Sequence, residues 1–319
     1  MERVRIDQIK EKDLIESVFL VKSKNLAVAK SGKPYLNLVL MDRSGEIEAK
    51  VWDEAEEASR LFDQNDFIKL RGKVTSYQGQ LQIVISQVKR YDEEKVEIKE
   101  FQPATERDTE VMFQELMEMV DQVKDQHLKR LLNLIFEEER VAKLFKIAPA
   151  AKSMHHVYLG GLLEHTLSVA RLILLVSRHY QNINQDLLLA GGILHDIGKV
   201  YELTYDRAFD YSDRGKLIGH IIIGAELIEE KIRNIPDFPT ELAMLLKHMI
   251  LSHHGEYEYG SPKRPKTVEA IILHYLEDMD SKVSSVQSLI KKEGETKSKW
   301  TSYHRLYDRY IYKGETNND

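Results

Sequence analysis

The chain has 319 residues, 42% hydrophobic and 31% charged, which is long enough for two domains with their own cores and too apolar for disorder. It holds no cysteine, so disulfides, thiolate zinc sites and cysteine nucleophiles are excluded, and any metal falls to His, Asp and Glu. A formal charge of −6 excludes a strongly basic chain but not a local basic groove; with no apolar run of about 18 residues and a charged start, "MERVRIDQIKEKD", a cytoplasmic protein with no membrane association is expected.

The first hundred residues read as strands. Five short runs rich in Val, Ile, Leu and aromatics are "SVFLVKSKNLAVA", "KPYLNLVLMD", "IEAKVWD", "DFIKLRGKVTSY" and "QLQIVISQVKRY", divided by turn signals at Ser31-Gly32, Asp42 to Gly45 and Gly79. A helical pattern, "EAEEASRLFDQN", stands between the third and fourth. Five strands with a helix in that place suit the partly open barrel of an OB-fold, against the plainer alternative of any small antiparallel sheet. The barrel is set at residues 1–98 and the charged stretch with Pro103 that follows is read as a linker, 99–108.

Beyond the linker the apolar residues recur at helical spacing: Val111, Leu116, Met119 and Val120; Leu128, Leu131, Leu132, Ile135 and Phe136; Leu162, Leu163, Leu167, Ala170 and Leu174. The fold expected is therefore multidomain, an N-terminal all-β OB-fold barrel followed by an all-α domain over 109–295. The aromatic-basic tail 296–319, with "KSKWTSYHRLYDRYIYK", either binds nucleic acid or packs, and a helix docking its aromatics on the second domain is the preferred reading.

Within the helical part, "LLLAGGILHDIGKVYEL" places His195, Asp196 and Lys199 in an apolar run, where an unpaired charge is so costly that such groups pair or bind metal. His165, His220, His253, His254, Glu277, Asp278 and Asp280 occupy similar apolar settings. Taken singly, each histidine reads as a hydrogen-bonded core residue, Asp196 as a cap or a partner of Lys199, and "HHG" as a helix ending at Gly255. Together they offer the imidazole and carboxylate donors that divalent ions take. Adjacent His195 and Asp196 point about 100° apart on a helix, close enough to share an ion if the backbone is irregular at Gly198.

The ordered set His165, His195-Asp196 and a later acid near Glu277 to Asp280 resembles the HD-domain metal phosphohydrolase superfamily. His220 and "SHHG" are similar to its two-metal members. With the OB-fold in front, "EYGSPKRPKTVEAIILHYLEDMDSK" and the tail, the whole chain resembles the YhaM-type 3′-5′ exoribonucleases. One departure is that the last ligand of HD proteins is commonly the Asp of an "AD" pair, where this chain has Glu277 in "LED". The resemblance implies that Asp196 bridges two ions, that His165, His195 and the later acid hold one, and that His220, His253 and His254 hold the other. It implies manganese, with cobalt as the alternative. Lys199 would either offset charge on the phosphate or pair with Asp196. Helix geometry puts Glu277, Asp280 and His274 on one face and turns Asp278 about 100° from Glu277, so Glu277 is read as the ligand and Asp280 as a second ligand or an orienting partner.

For the barrel, Lys33, Tyr35, Trp52, Arg71, Lys73 and Tyr77 are candidates to stack bases and track phosphates, with Lys22, Lys24, Lys30 and Lys69 beside them. The expected function is metal-dependent hydrolysis of single-stranded RNA, with single-stranded DNA as a further substrate, to nucleoside 5′-monophosphates; the 3′-5′ polarity rests on the resemblance alone. Two other readings are an HD-type phosphohydrolase of small or cyclic nucleotides with a regulatory OB domain, and a non-catalytic nucleic-acid adaptor. A homo-oligomer is expected.

Overall fold

In the computed structural model the described residues are 4–29, 31–77, 79–151, 158–205, 210–294 and 298–314. The chain divides into two compact units, Met1–Ala104 with Thr204–Asp210, and Thr105–Leu203 with Tyr211–Asp319.

In the first unit β1 (Leu14–Val28), β2 (Pro34–Asp42), β3 (Gly45–Val51), β4 (Phe67–Tyr77) and β5 (Gln80–Arg90) close a barrel in the order β1-β2-β3-β5-β4. Every pairing is antiparallel except β3 with β5. Alternation explains the sides: along β4, Ile68, Leu70 and Val74 point in, while Lys69, Arg71 and Lys73 point out. Phe19, Leu36, Leu38, Leu40 and Ile83 complete a core sealed from water. Helix α1 (Ala55–Arg60) lies between β3 and β4 and adds Ala55 and Ala58 to that core. Lys24, a candidate for nucleic acid, serves the fold instead: its Nζ donates to the carbonyls of Ser59 (2.8 Å) and Phe62 at the end of α1. The strand order with this helix is the OB-fold. Phe101, within the span read as linker, is buried edge-on to Phe67 at 4.8 Å, and Glu100 O accepts from Arg43 N at 3.1 Å. An aromatic ring in a charged stretch gains more from this barrel groove than from water.

The second unit is helical: α2 (Thr109–Asp121), α3 (Gln126–Phe136), α4 (Glu139–Ile147), α5 (Gly161–Val176), α6 (Gln185–Leu194), α7 (Lys199–Glu202), α8 (Asp213–Ile218), α9 (His220–Ile232), α10 (Thr240–Ser252) and α11 (Val268–Glu293). Asp108, Asp125, Asn184 and Thr267 cap α2, α3, α6 and α11 by accepting backbone N–H bonds. Helix α5 packs on α6 and α11, and α6 on α10, burying Leu163, Leu167, Ala170, Leu188, Ile193, Leu246, Ile250 and Leu273 completely.

The tail is not the expected helix. Residues 298–314 form a hairpin bridged at Trp300↔Tyr312 and His304↔Arg309, with Asp308 turning at φ 52°. Trp, Tyr, Thr and Ile favour a pleated chain over a helix, and that propensity outweighs the helical spacing of the tyrosines. Residues 315–319 of the expected tail, with 296 and 297, lie outside the described residues. Among the described residues no helix is long and apolar enough to cross a membrane.

Candidate metal centre

Five chain segments converge in the helical unit. His165 rides on α5; α6 ends at Leu194 and gives way to a turn carrying His195 and Asp196; His220 opens α9; His253 and His254 follow α10; Glu277 and Asp280 sit on α11. Gly198 has an ordinary helical φ of −65°, so the irregularity is not its purpose. A Cβ there would lie 2.0 Å from His220 O and 2.6 Å from Gly224 N. Glycine lets α9 approach, and that approach brings His220 to Asp196. Gly255 is in the left-handed region at φ +81°, as its place after "HH" suggested, and a Cβ there would strike the ring of His274. His274 Nδ1 donates to His253 O at 2.9 Å and fastens that turn to α11.

Every one of the five central rings has Nδ1 engaged. His195 Nδ1 donates to Gly192 O (2.7 Å), His253 Nδ1 to Ile250 O (2.8 Å) and His254 Nδ1 to Tyr259 O (3.0 Å). His165 Nδ1 donates to Asp280 Oδ2 (2.9 Å) and His220 Nδ1 to Glu202 Oε1 (3.0 Å). A carbonyl can only accept, so the proton of a neutral ring sits on Nδ1 and its Nε2 lone pair faces inward. His165 Nε2 is 3.2 Å from His195 Nε2, and His195 Nε2 is 3.3 Å from Asp196 Oδ2. His220 Nε2 and His253 Nε2 lie 3.5 and 3.6 Å from Asp196 Oδ1. Asp196 Oδ1, His220 Nε2 and His253 Nε2 are buried without a hydrogen-bond partner. Lone pairs aimed at one another in a dry interior repel unless a cation lies among them. The atoms form two groups, His165, His195 and Asp196, and His220, His253 and His254, each within 4.8 Å. Two such sets joined at one carboxylate fit divalent ions.

The electrostatics agree. Burial works against charge on Asp196, but Lys199, whose Nζ stands 2.7 Å from Oδ2, and then His195 hold its pKa well below the usual carboxylate value. Burial likewise opposes the imidazolium of His195 and the ammonium of Lys199, and the Asp196 carboxylate raises both. Burial and neighbouring imidazoles push His253 down, and His254 down to about 4, so both are neutral donors at neutral pH. Burial raises Glu277 against the pull of His165 and His195.

The acids of α11 separate. Glu277 is near enough to His165, His195, Asp196 and Lys199 for their charges to act on its carboxyl, though it is outside the two groups whose donor atoms lie within 4.8 Å of one another. Asp280 accepts from both His165 Nδ1 and Ser168 Oγ and so orients a ring. Asp278 pairs outward with Lys282 at 2.7 Å. Lys199 occupies the pairing position beside Asp196. Sequence reasoning missed Glu202, which accepts from His220 N (2.8 Å) as well as Nδ1. Its signal was a carboxylate standing in the apolar run "VYEL".

On the barrel Tyr35 stacks on Trp52 at 4.7 Å, and the Lys50 ammonium lies 6.0 Å from the Tyr35 ring and 5.3 Å from that of Tyr77. Lys33, beside them on the β1–β2 loop, pairs with Asp53 at 2.7 Å. Lys50 was missed, although it lies near the end of β3 two residues before Trp52, a spacing that turns both outward. Arg71 and Lys73 lie elsewhere, on β4 opposite β1: Arg71 pairs with Glu16, which also holds Lys69, and Lys73 is registered with Leu14. Lys22 pairs with Glu46. Lys30 lies outside the described residues.

A model of the HD domain matches residues 162–281, one of an OB-fold nucleic acid binding domain matches 19–91, and a helicase model matches 104–185. The second OB-fold domain of replication protein A from Methanococcus maripaludis covers 28% of this chain and 96% of its own at 18% identity, with a TM-score of 0.24. The proteins named 3′-5′ exoribonuclease YhaM from Geobacillus sp. (strain WCH70) and Listeria welshimeri are 33% and 37% identical to it over 87% and 89% of this chain, and 85% and 90% of their own lengths. With both domains present in the same order and the convergent histidines in the second, the chain belongs to the YhaM family of 3′-5′ exoribonucleases.

Proposed function

We propose that this chain is a metal-dependent 3′-5′ exoribonuclease acting on single-stranded RNA, and on single-stranded DNA as a secondary substrate, to release nucleoside 5′-monophosphates. The observation that carries the reading is the convergence of inward Nε2 atoms on Asp196, two of them and one carboxylate oxygen buried without a partner. In this reading His165, His195, Asp196 and Glu277 would hold one ion, and His220, His253 and His254, with Asp196 again, the other. Asp280 and Glu202 fix the rings of His165 and His220. Lys199, within reach of Asp196, offsets charge gathering on the phosphate. The chemistry supplied by metal held there would be a lowered pKa of water and a polarised phosphoryl group. Manganese suits an imidazole-carboxylate set without thiolate, with cobalt as the alternative.

Residues 1–98 would carry the single strand, with Lys33, Tyr35, Lys50, Trp52 and Tyr77 stacking bases and pairing phosphates, and residues 109–295 the hydrolytic centre. The test is incubation with manganese of single-stranded RNA labelled at either end, beside free and cyclic nucleotides. A 5′-labelled strand is expected to shorten progressively, and a 3′ label to leave at once as a mononucleotide. Internal cuts, or hydrolysis confined to free nucleotides, would overturn the reading.

A further inference from the structure

The hairpin 298–314 takes no part in the centre. Thr301 N donates to Ile311 O (2.9 Å) and Ile311 N to Thr301 Oγ1 (3.0 Å), with Thr301 buried. Ser302 N donates to a Glu293 carboxylate oxygen and Lys313 Nζ to Glu293 O, both at 2.7 Å, which ties the ribbon to the last turn of α11. The register slips by one residue between the bridges Trp300↔Tyr312 and His304↔Arg309. That slip sorts the rings. Tyr310 and Tyr312 share a face, Trp300 packs edge-on to Tyr312 at 5.0 Å, and Tyr303 edge-on to Tyr310 at 5.3 Å.

Trp300, Tyr303, Tyr310 and Tyr312 thus stand together on one side, each about half exposed, at 51%, 47%, 59% and 53%. A rigid ribbon that leaves four rings in water forgoes a large gain from burial, unless the rings meet something else. The accompanying charge says what. Between Ser298 and Lys313 there are four Lys and Arg against one Asp, a net +3 in a chain of −6. Two such hairpins facing each other would repel, whereas rings interleaved with cations match the bases and phosphates of a single strand.

We propose that the hairpin is a second single-strand platform, stacking bases on the Trp300–Tyr312 and Tyr303–Tyr310 pairs while Arg305 and Arg309 meet phosphates. The proposal rests on the RNA reading above. It is tested by fluorescence anisotropy with a fluorescein-labelled oligouridylate in EDTA, where nothing is cut. The full-length double variant Tyr310→Ala/Tyr312→Ala is expected to bind roughly fivefold or more weakly, and Tyr310→Phe/Tyr312→Phe to bind as wild type. Arg305→Ala/Arg309→Ala should flatten the dependence of log affinity on log salt by roughly 1.4. Hydrolysis of bis(p-nitrophenyl) phosphate should be unchanged in all three. If Trp52→Ala weakens binding and the double alanine variant does not, the platform fails and the RNA reading stands; if the unaltered protein binds no RNA, that reading fails and the platform with it. A halved mass in light scattering with unaltered RNA affinity would assign the face to a second copy instead.

Discussion

In the barrel the residues suited to binding stand outside: Tyr77 is 58% exposed, Trp52 is 37% exposed, and Lys50 reaches over the rings from a neighbouring position. In the helical unit His165, His195 and His253 are sealed completely and Asp196 nearly so, each ring locked by a bond at Nδ1. As a binding surface the exterior set would act by addition, so losing one member would cost a share of affinity. The interior set acts as one unit, because removing any charge leaves its partners stranded where water cannot reach them.

The largest expected break is at Asp196. Asp196→Asn should reduce RNA hydrolysis roughly a thousandfold or more in excess manganese, since several kcal/mol of transition-state stabilisation pass through that carboxylate. Metal content measured beside activity checks it, and a variant retaining above about a tenth of activity would contradict the convergence. Next come the orienting acids. Asp280→Asn and Glu202→Gln should each raise the manganese requirement roughly 10–100-fold, with activity partly restored by added metal. Glu277→Gln should raise it further than Asp280→Asn, and Asp278→Ala, paired with Lys282 on the exterior, should leave the manganese titration unchanged.

The third prediction concerns protons in the metal-free protein. His253 and His254 have lowered pKa values when folded, His254 to about 4, whereas unfolded imidazole titrates near 6.5. Their stabilising contribution is present above that unfolded value and is lost as pH falls through the folded one. His195, raised by Asp196, has the opposite sign and its contribution is lost as pH rises. Glu277, raised by burial, shares that sign, so the contribution of one ring is read as a difference: the Tm of EDTA-treated protein minus that of His254→Gln, followed by circular dichroism, should fall between pH 7 and pH 4.5. A level difference would refute a sealed, neutral His254. The smallest effect is expected in the barrel: Trp52→Ala should raise KM for long single strands roughly fivefold while leaving hydrolysis of a small phosphodiester untouched.

Sequence pattern carried the barrel because alternation and turn residues are local: Ile68, Leu70 and Val74 against Lys69, Arg71 and Lys73 state the inner and outer faces directly. The histidines were legible for a similar reason, since polar residues in apolar helices are conspicuous. What pairs with what was not. Asp280 and Glu277 lie on one helix face, and only the packing of α11 on α5 separates the one that bonds His165 from the one that feels the whole centre. Lys24 looked like a phosphate contact until the end of α1 claimed it. Aromatics interleaved with Lys and Arg in the tail read as a docked helix, where strand propensity and a bond network to Glu293 gave a hairpin.

The rings of His195 and His253 bond the carbonyl three residues back, each in the closing turn of its helix, and His254 also bonds a carbonyl. A carbonyl has no side chain to lose. No single substitution at Gly192, Ile250 or Tyr259 deletes these acceptors, so among the bonds that orient the five rings only those to Glu202 and Asp280 can be lost with a partner's side chain. The exposure is to heat instead. Carbonyls in a closing turn are among the first to fray, so warming should misalign the Nε2 atoms while most of the helical hydrogen bonds still hold, and catalysis should fade before the domain melts.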